Sequence, residues 1–282
     1  MRAVIVGVGH MGTHHLRVAR SLGLETFTVD PLRPADFVSL DQAPPAEIIA
    51  VATPIADLAA TARTAMQVGC QRLLVEKPLA ATVAEAELLA QLSLQTGTRM
   101  LVGYSERFDP LIQQLKRQVG TLIGTVRQMA FERLGPLPRW NTPGPAVDLA
   151  VHDIDLLHFL GFSPTLVEAW CSPRAVKASL DCSGAVASLD ARYVPAGRHR
   201  RLLLQSPGAA LECDLLNRTM TRIEADRRDS VPIEPVERAE PLLREWEALL
   251  AGGGPGVTEA LAALRLAEQL THAAPANVLI AR

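Results

Sequence analysis

Short aliphatic and β-branched runs alternate with amphipathic stretches through the first hundred residues. Ala3-Val4-Ile5-Val6-Gly7 reads as a strand, and the residues from there to about Arg20 as a helix. Residues 25–29 (ETFTV) read as a second strand. Ile48-Ile49-Ala50-Val51-Ala52 is continuously apolar, as expected of a strand covered on both faces. Leu58–Gln67 predicts a helix, Arg72–Val75 a strand, Val83–Thr96 an amphipathic helix closed by Gly97, and Met100–Gly103 a last strand. Strands alternating with helices predict an α/β Rossmann domain, a parallel doubly wound sheet over residues 1–104. The stretch from Asp30 to Ile48 is too short for the usual helix after the second strand, so Pro31–Ala46 reads as loop.

After Tyr104 the pattern changes. Pro110–Gln118 predicts a helix and Thr125–Arg133 a strand; a Pro-rich loop from Gly135 to Pro145 leads into a helix from about Val147 to Leu160. From Leu166 to Ile223, alternating runs are broken by turn signals at Ser183-Gly184, Pro195-Ala196-Gly197 and Ser206-Pro207-Gly208. They predict a mainly antiparallel sheet with one open face. Pro241–Leu250 and Thr258–Thr271 are closing helices separated by Gly252-Gly253-Gly254-Pro255-Gly256. Residues 105–282 thus form a second, α+β domain.

Composition narrows the function. The formal net charge is -2 and no Lys/Arg stripe is interleaved with aromatics, which argues against a nucleic-acid partner. No apolar run reaches the ~18–20 residues of a membrane span, and Met1-Arg2 leads straight into a strand rather than a secretory signal. Cys70, Cys171, Cys182 and Cys213 form no CxxC pair and have no His at metal-ligand spacing. They read as free thiols of a cytoplasmic protein, and no metal is expected.

Gly7-Val8-Gly9-His10-Met11-Gly12 follows a strand and opens a helix. In such a fingerprint the first glycine permits the tight turn, the second lets the backbone approach a pyrophosphate, and the third lets helix and strand pack. The phosphates then meet N–H groups at the positive end of the helix. Asp30 lies 18 residues past Gly12 at the end of the second strand. There it can accept from adenosine ribose hydroxyls and repel a 2′-phosphate, favouring NAD over NADP; Arg33, three residues on, works the other way.

Three further motifs follow in order: Glu76-Lys77-Pro78 after one strand, Glu106-Arg107-Phe108-Asp109-Pro110 after the next, and Asp148-Leu149-Ala150-Val151-His152-Asp153-Ile154-Asp155 opening a helix. With the fingerprint, this order resembles the glucose–fructose oxidoreductase / inositol dehydrogenase family (Gfo/Idh/MocA), well over residues 1–163 and more loosely beyond. The resemblance implies an NAD-binding Rossmann domain, contacted by Gly7, Gly9, His10, Met11, Gly12, Asp30, Thr53, Pro54, Glu76 and Lys77. It implies a C-terminal substrate domain whose sheet forms a homodimer or homotetramer contact. Lys77 would lie near nicotinamide and substrate with Pro78 often cis, and Asp148 and His152 would complete the catalytic set.

The residues support those roles. Asp148 and His152 are four apart, on one face of a helix. A carboxylate beside an imidazole orients it and stabilises the imidazolium formed when it takes a proton. A lysine can stabilise negative charge developing on the reacting oxygen. Taken singly, Asp148 is an ordinary helix cap, His152 a core histidine and Lys77 a surface lysine; the set in family order makes them catalytic. Asp153 and Asp155 read as first-turn or structural acids, and His14 and His15 as structural or near-phosphate residues. Where the family often has Asn and His after Thr-Pro, Thr53-Pro54 is followed by Ile55-Ala56-Asp57-Leu58, so those polar contacts are lost.

Leu101 to Pro110, Arg133-Leu134-Gly135-Pro136 and Asp148–Leu157 look most like nucleotide-sugar oxidoreductases of the UDP-N-acetylglucosamine 3-dehydrogenase kind. That likeness implies hydride transfer between a sugar ring hydroxyl or ketone and the nicotinamide. Arg107, Arg133 and Arg139 are then candidates for a substrate diphosphate, alongside Lys77, Asp148 and His152. Two alternatives stand beside it: an oxidoreductase of a free sugar, polyol or other carbonyl, and a catalytically silent NAD-binding sensor or scaffold.

Overall fold

A computed structural model describes residues 1–122, 125–138, 142–236 and 240–273. The chain divides into two compact units. One is Met1–Phe108 with Glu237–Leu264; the other is Asp109–Val236 with Arg265–Arg282.

In the first unit, β1 (Arg2–Val6), β2 (Glu25–Val29), β3 (Ile48–Val51), β4 (Arg72–Glu76) and β5 (Arg99–Gly103) form a parallel sheet in the order β2-β1-β3-β4-β5. The helices between them are α1 (His10–Ser21), α2 (Ile55–Gln67) and α3 (Val83–Thr96). α3 has a reciprocal capping box between Thr82 and Glu85 and ends on Gly97 in the left-handed conformation. β1 neighbours both β2 and β3, so the order of strands reverses there and opens a crevice beyond their carboxyl ends.

No helix joins β2 to β3; the connection holds only a short 3-10 turn, Leu40–Gln42. A single parallel bridge between Val29 and Phe37 stands where another strand would pair. It is fixed by Asp30 N–H to Phe37 C=O (3.1 Å), Phe37 N–H to Thr28 C=O (3.1 Å), and Thr28 N–H and Oγ1 to the Asp36 carboxylate (2.8 Å each).

The one-cut division expected from the sequence, 1–104 and 105–282, differs from this grouping. Helix α6 (Glu240–Ala251) belongs to the first unit, and the boundary falls within α7 (Val257–Thr271). Leu242, Trp246 and Leu249 of α6 share one buried cluster with Ile5, Val18, Ile48, Leu74 and Leu101. The apolar stripe of α6 thus completes the wall of the Rossmann core.

The second unit is an eight-stranded sheet in the order β13-β12-β11-β10-β6-β9-β8-β7. Its strands are β6 (Gln128–Pro136), β7 (Thr165–Cys171), β8 (Ala175–Asp181), β9 (Val186–Val194), β10 (His199–Ser206), β11 (Ala209–Asp214), β12 (Thr219–Glu224) and β13 (Arg227–Ser230). All pairings are antiparallel except β6 with β9. Alternate residues point inward: Phe131 and Arg133 on β6, Leu189, Ala191 and Tyr193 on β9, Val176 and Leu180 on β8. Helices α4 (Pro110–Leu122) and α5 (Val151–Leu160) belong to this unit, and α5 is entered through a wide π turn over Ala146–Ala150.

Candidate active site

The fingerprint loop has the geometry its glycines anticipate. Gly7 is left-handed (φ 88°), and a Cβ there would meet the Ala52 carbonyl oxygen at 2.7 Å; a Cβ on Gly12 would lie 1.7 Å from the carbonyl oxygen of Gly7. Neither position admits a side chain. Around Gly9 the opposite holds: a Cβ would meet nothing within 4 Å. The backbone there borders open space at the start of α1, and no side chain caps that helix. His10 is exposed, and Met11 packs against the core below. Across the strand-order reversal, Thr53 and Pro54 follow β3; Pro54 leads into α2, and Thr53 Oγ1 is buried with no hydrogen-bond partner. An uncapped helix end, free volume at Gly9 and an unsatisfied hydroxyl across the crevice suit a dinucleotide.

Asp30 sits beside this loop, 8% exposed. Its Oδ2 accepts Val8 N–H at 2.9 Å, and its Oδ1 accepts Leu32 and Arg33 N–H at 2.8 and 3.0 Å. The carboxylate therefore ties the glycine loop to the shortened connection, and its Oδ2 keeps a lone pair for a ribose hydroxyl.

Glu76 ends β4, and the peptide bond between Lys77 and Pro78 is cis. Glu76 Oε2 accepts Lys77 N–H at 3.2 Å, and Oε1 lies 2.9 Å from Nε2 of His15, which is fully buried. Trp246 of α6 donates its indole N–H to His15 Nδ1 at 3.0 Å. An indole can only donate, so Nδ1 is the bare acceptor and Nε2 carries the proton given to Glu76. The contact is a hydrogen bond from a neutral imidazole to a carboxylate, not an ion pair, and it makes His15 structural. Next to Trp246, Glu245 is fully buried with neither carboxylate oxygen hydrogen-bonded. Burial pushes its carboxyl well above the usual carboxylate range, and the charge of Glu76 adds to the shift.

In the second unit, Asp148 falls inside the π turn and His152 in the first turn of α5. Both are half-buried. Asp148 Oδ2 accepts from the hydroxyl of Tyr193 on β9 at 2.9 Å, and the Tyr193 oxygen lies 3.1 Å from Thr142 Oγ1. Gly135, the register partner of Tyr193 on β6, lets Leu149 approach so closely that a Cβ would lie 3.0 Å from its Cδ2. The π turn is thereby seated on the sheet. Tyr193 and Thr142 carry no motif, and sequence reasoning missed them; the only signal was the inward parity of Tyr193 with Leu189 and Ala191.

The candidate arginines separate. Arg133 is 1% exposed, and its Nε and Nη2 grip Asp153 of α5 at 2.7–3.1 Å. This internal ion pair corrects its reading as a diphosphate ligand: the inward parity of β6 points the guanidinium into the core. It also gives Asp153 a structural role. Arg107 is mostly buried, its guanidinium 5.9 Å from the centre of the Tyr104 ring. Arg139 lies outside the described residues. Among the described residues no His, Cys, Asp and Glu cluster could hold a metal, and no helix is long and apolar enough to cross a membrane.

Two units, one a dinucleotide-type Rossmann sheet and the other an open-faced mixed sheet bearing an Asp–His helix start, define a nicotinamide-dependent oxidoreductase. Residues 16–104 match the oxidoreductase family with an NAD-binding Rossmann fold, Gfo/Idh/MocA. The chain is 31% identical over 243 residues to UDP-N-acetylglucosamine 3-dehydrogenase of Acidithiobacillus ferrooxidans, covering 78% of this chain and 76% of that protein. To scyllo-inositol 2-dehydrogenase (NAD(+)) of Bacillus subtilis it is 24% identical over 190 residues, 57% and 54% of the two chains. A solved structure of the A. ferrooxidans enzyme superposes with a TM-score of 0.82 at 26% identity, covering 96% of each chain. KijD10, a 3-ketoreductase from Actinomadura kijaniata in complex with TDP-benzene and NADP, shares the fold at 16% identity and a TM-score of 0.84, over 98% of each chain. The chain belongs to the Gfo/Idh/MocA family of oxidoreductases, whose Rossmann fold is NAD-binding.

Proposed function

We propose that this chain interconverts a ring hydroxyl and a ketone on a sugar carrying a nucleoside diphosphate. The observation that carries the reading is the 243-residue match to UDP-N-acetylglucosamine 3-dehydrogenase, too long to be confined to the Rossmann portion. When bound, NAD supplies the hydride acceptor. It would be held by the loop from Gly7 to Gly12, by Asp30 and by Thr53. His152 takes the proton of the reacting hydroxyl, Asp148 orients the imidazole, and the Lys77 ammonium donates to the same oxygen and offsets its developing charge. Loss of a positioned acid or base costs ~10²–10⁴ in rate. His152→Ala and Lys77→Ala should therefore lose at least that much turnover while NAD affinity stays near normal.

With Arg133 committed to Asp153, a diphosphate would have to rely on Arg107, Arg139 or groups yet unnamed. The shorter match to inositol dehydrogenases favours, as a second reading, a free polyol or monosaccharide. NADH fluorescence during turnover of UDP-N-acetylglucosamine, free N-acetylglucosamine and myo-inositol separates the two. Turnover of the free sugar as fast as its UDP derivative refutes the nucleotide-sugar reading and leaves the cofactor and catalytic residues in place. The four free thiols, three of them buried, suit a cytoplasmic setting, and the open sheet face suits a homodimer or homotetramer, which sedimentation would test.

A further inference from the structure

Asp148 is held in a π turn at the entrance to α5, and single π turns of this kind recur at functional sites. The Asp148 carboxylate accepts from the hydroxyl of Tyr193, 2.9 Å from Oδ2. Tyr193 comes from β9, which packs against the turn; it is 7% exposed, and its ring faces the core with Leu189 and Ala191. The phenol can give its one proton to only one partner. Since it donates to Asp148, the 3.1 Å contact with Thr142 must run the other way, from Thr142 Oγ1 to the Tyr193 oxygen. The result is a directed chain of hydroxyls, Thr142 to Tyr193 to Asp148. Thr142 Oγ1 in turn accepts Gly144 N–H, at 3.4 Å, and the Gly144 carbonyl accepts Asp148 N–H at 3.0 Å. Side chain and backbone of Asp148 are thus tied to one short loop.

We infer that Tyr193 is a positioning residue for catalysis, acting through Asp148 to hold the orientation of His152, with Thr142 fixing the direction of the Tyr193 hydroxyl. The inference rests on Asp148 and His152 acting as proposed above. Desolvation and the charge of Asp148 both push the phenol's ionisation upward, so it remains a donor wherever the enzyme works. A purely structural tyrosine would contribute its ring. Tyr193→Phe keeps the ring and removes only the donor.

The test is a double-mutant cycle on the NAD-loaded enzyme, reading kcat, sugar KM, NAD affinity and urea unfolding. A hydrogen bond to a charged group corresponds to roughly 10-fold or more. Tyr193→Phe should therefore lower kcat by about that factor, with sugar KM and NAD affinity nearly unchanged. In an Asp148→Ala background the same change should do nothing further, since Tyr193 acts only through that carboxylate. Thr142→Val, which leaves both partners in place, should lower kcat by about 2- to 10-fold, as a neutral hydrogen bond allows. Normal kcat in both Tyr193→Phe and Thr142→Val, or losses that multiply with Asp148→Ala, overturns the inference alone. Wild-type kcat in Asp148→Ala overturns the catalytic reading and the inference with it.

Discussion

Trp246 and His15, 231 residues apart, are joined by a buried 3.0 Å hydrogen bond from the indole N–H to Nδ1. Through it a late helix sets the tautomer of a histidine on the first helix, and that histidine donates to Glu76, the neighbour of Lys77. Trp246→Phe would leave Nδ1 buried without a donor. An unsatisfied buried group costs about 1–3 kcal/mol, and the lost ring volume adds a cavity. Urea unfolding should show a loss of at least that size; a loss below about 1 kcal/mol would mean the bond does not persist in solution.

Glu245 gives the same cluster a pH dependence. Its folded ionisation is raised above the unfolded value of about 4.3. Below that pH both states hold the proton and there is no penalty. As pH rises, the unfolded chain releases the proton first, so stability falls by about 1.4 kcal/mol per pH unit until the folded carboxyl also ionises. Glu245→Gln cannot ionise. The Tm of the variant should therefore gain on the wild type as pH increases from about 4.5, and parallel Tm curves would refute the buried neutral acid.

Arg133 now predicts a stability effect rather than a binding effect. Removing one partner of a buried ion pair costs about 3–5 kcal/mol, because the other is left uncompensated. Arg133→Ala should unfold at much lower denaturant, whereas a diphosphate ligand would instead raise sugar KM in a protein of normal stability.

Asp30 should make NAD(H) bind more tightly than NADP(H), since a 2′-phosphate would meet a carboxylate already fixed by three N–H donors. Titration of both cofactors by fluorescence checks this. Asp30→Ala should weaken both, because the Val8 N–H of the phosphate loop loses its acceptor; tighter NADP(H) binding in the wild type would mean Arg33 decides the choice.

Much of the first unit was legible because β-branched runs and amphipathic stretches obey different periods, and α3 even carried its own start and stop signals at Thr82 and Gly97. Motif order pointed to the family that the 243-residue match to a curated relative then supports. What escaped has physical causes. Alternation on β6 and β9 is the same whether they pair parallel or antiparallel, so that pairing was invisible. β13, Arg227-Arg228-Asp229-Ser230, has no apolar residue and exists only through its pairing with β12. An apolar stripe on α6 does not say which core it completes. Arg133 looked like a ligand because chemistry was read without the strand's parity, which set its direction. Tyr193 belongs to no motif and becomes informative only when β9 brings it against Asp148.

The stub at Phe37 bears on how small such a domain can become. Deleting a strand and its helix from a parallel sheet ordinarily leaves a row of unpaired N–H and C=O groups along the new border, an invitation to pair with another chain. Here two residues cover the carboxyl end of that border: Phe37 takes up the backbone of Thr28 and Asp30, and Asp36 engages Thr28 with a charged side chain. A carboxylate on an outermost strand also disfavours the approach of a second sheet. A short acidic seal thus stands at the end of β2 in place of a whole strand.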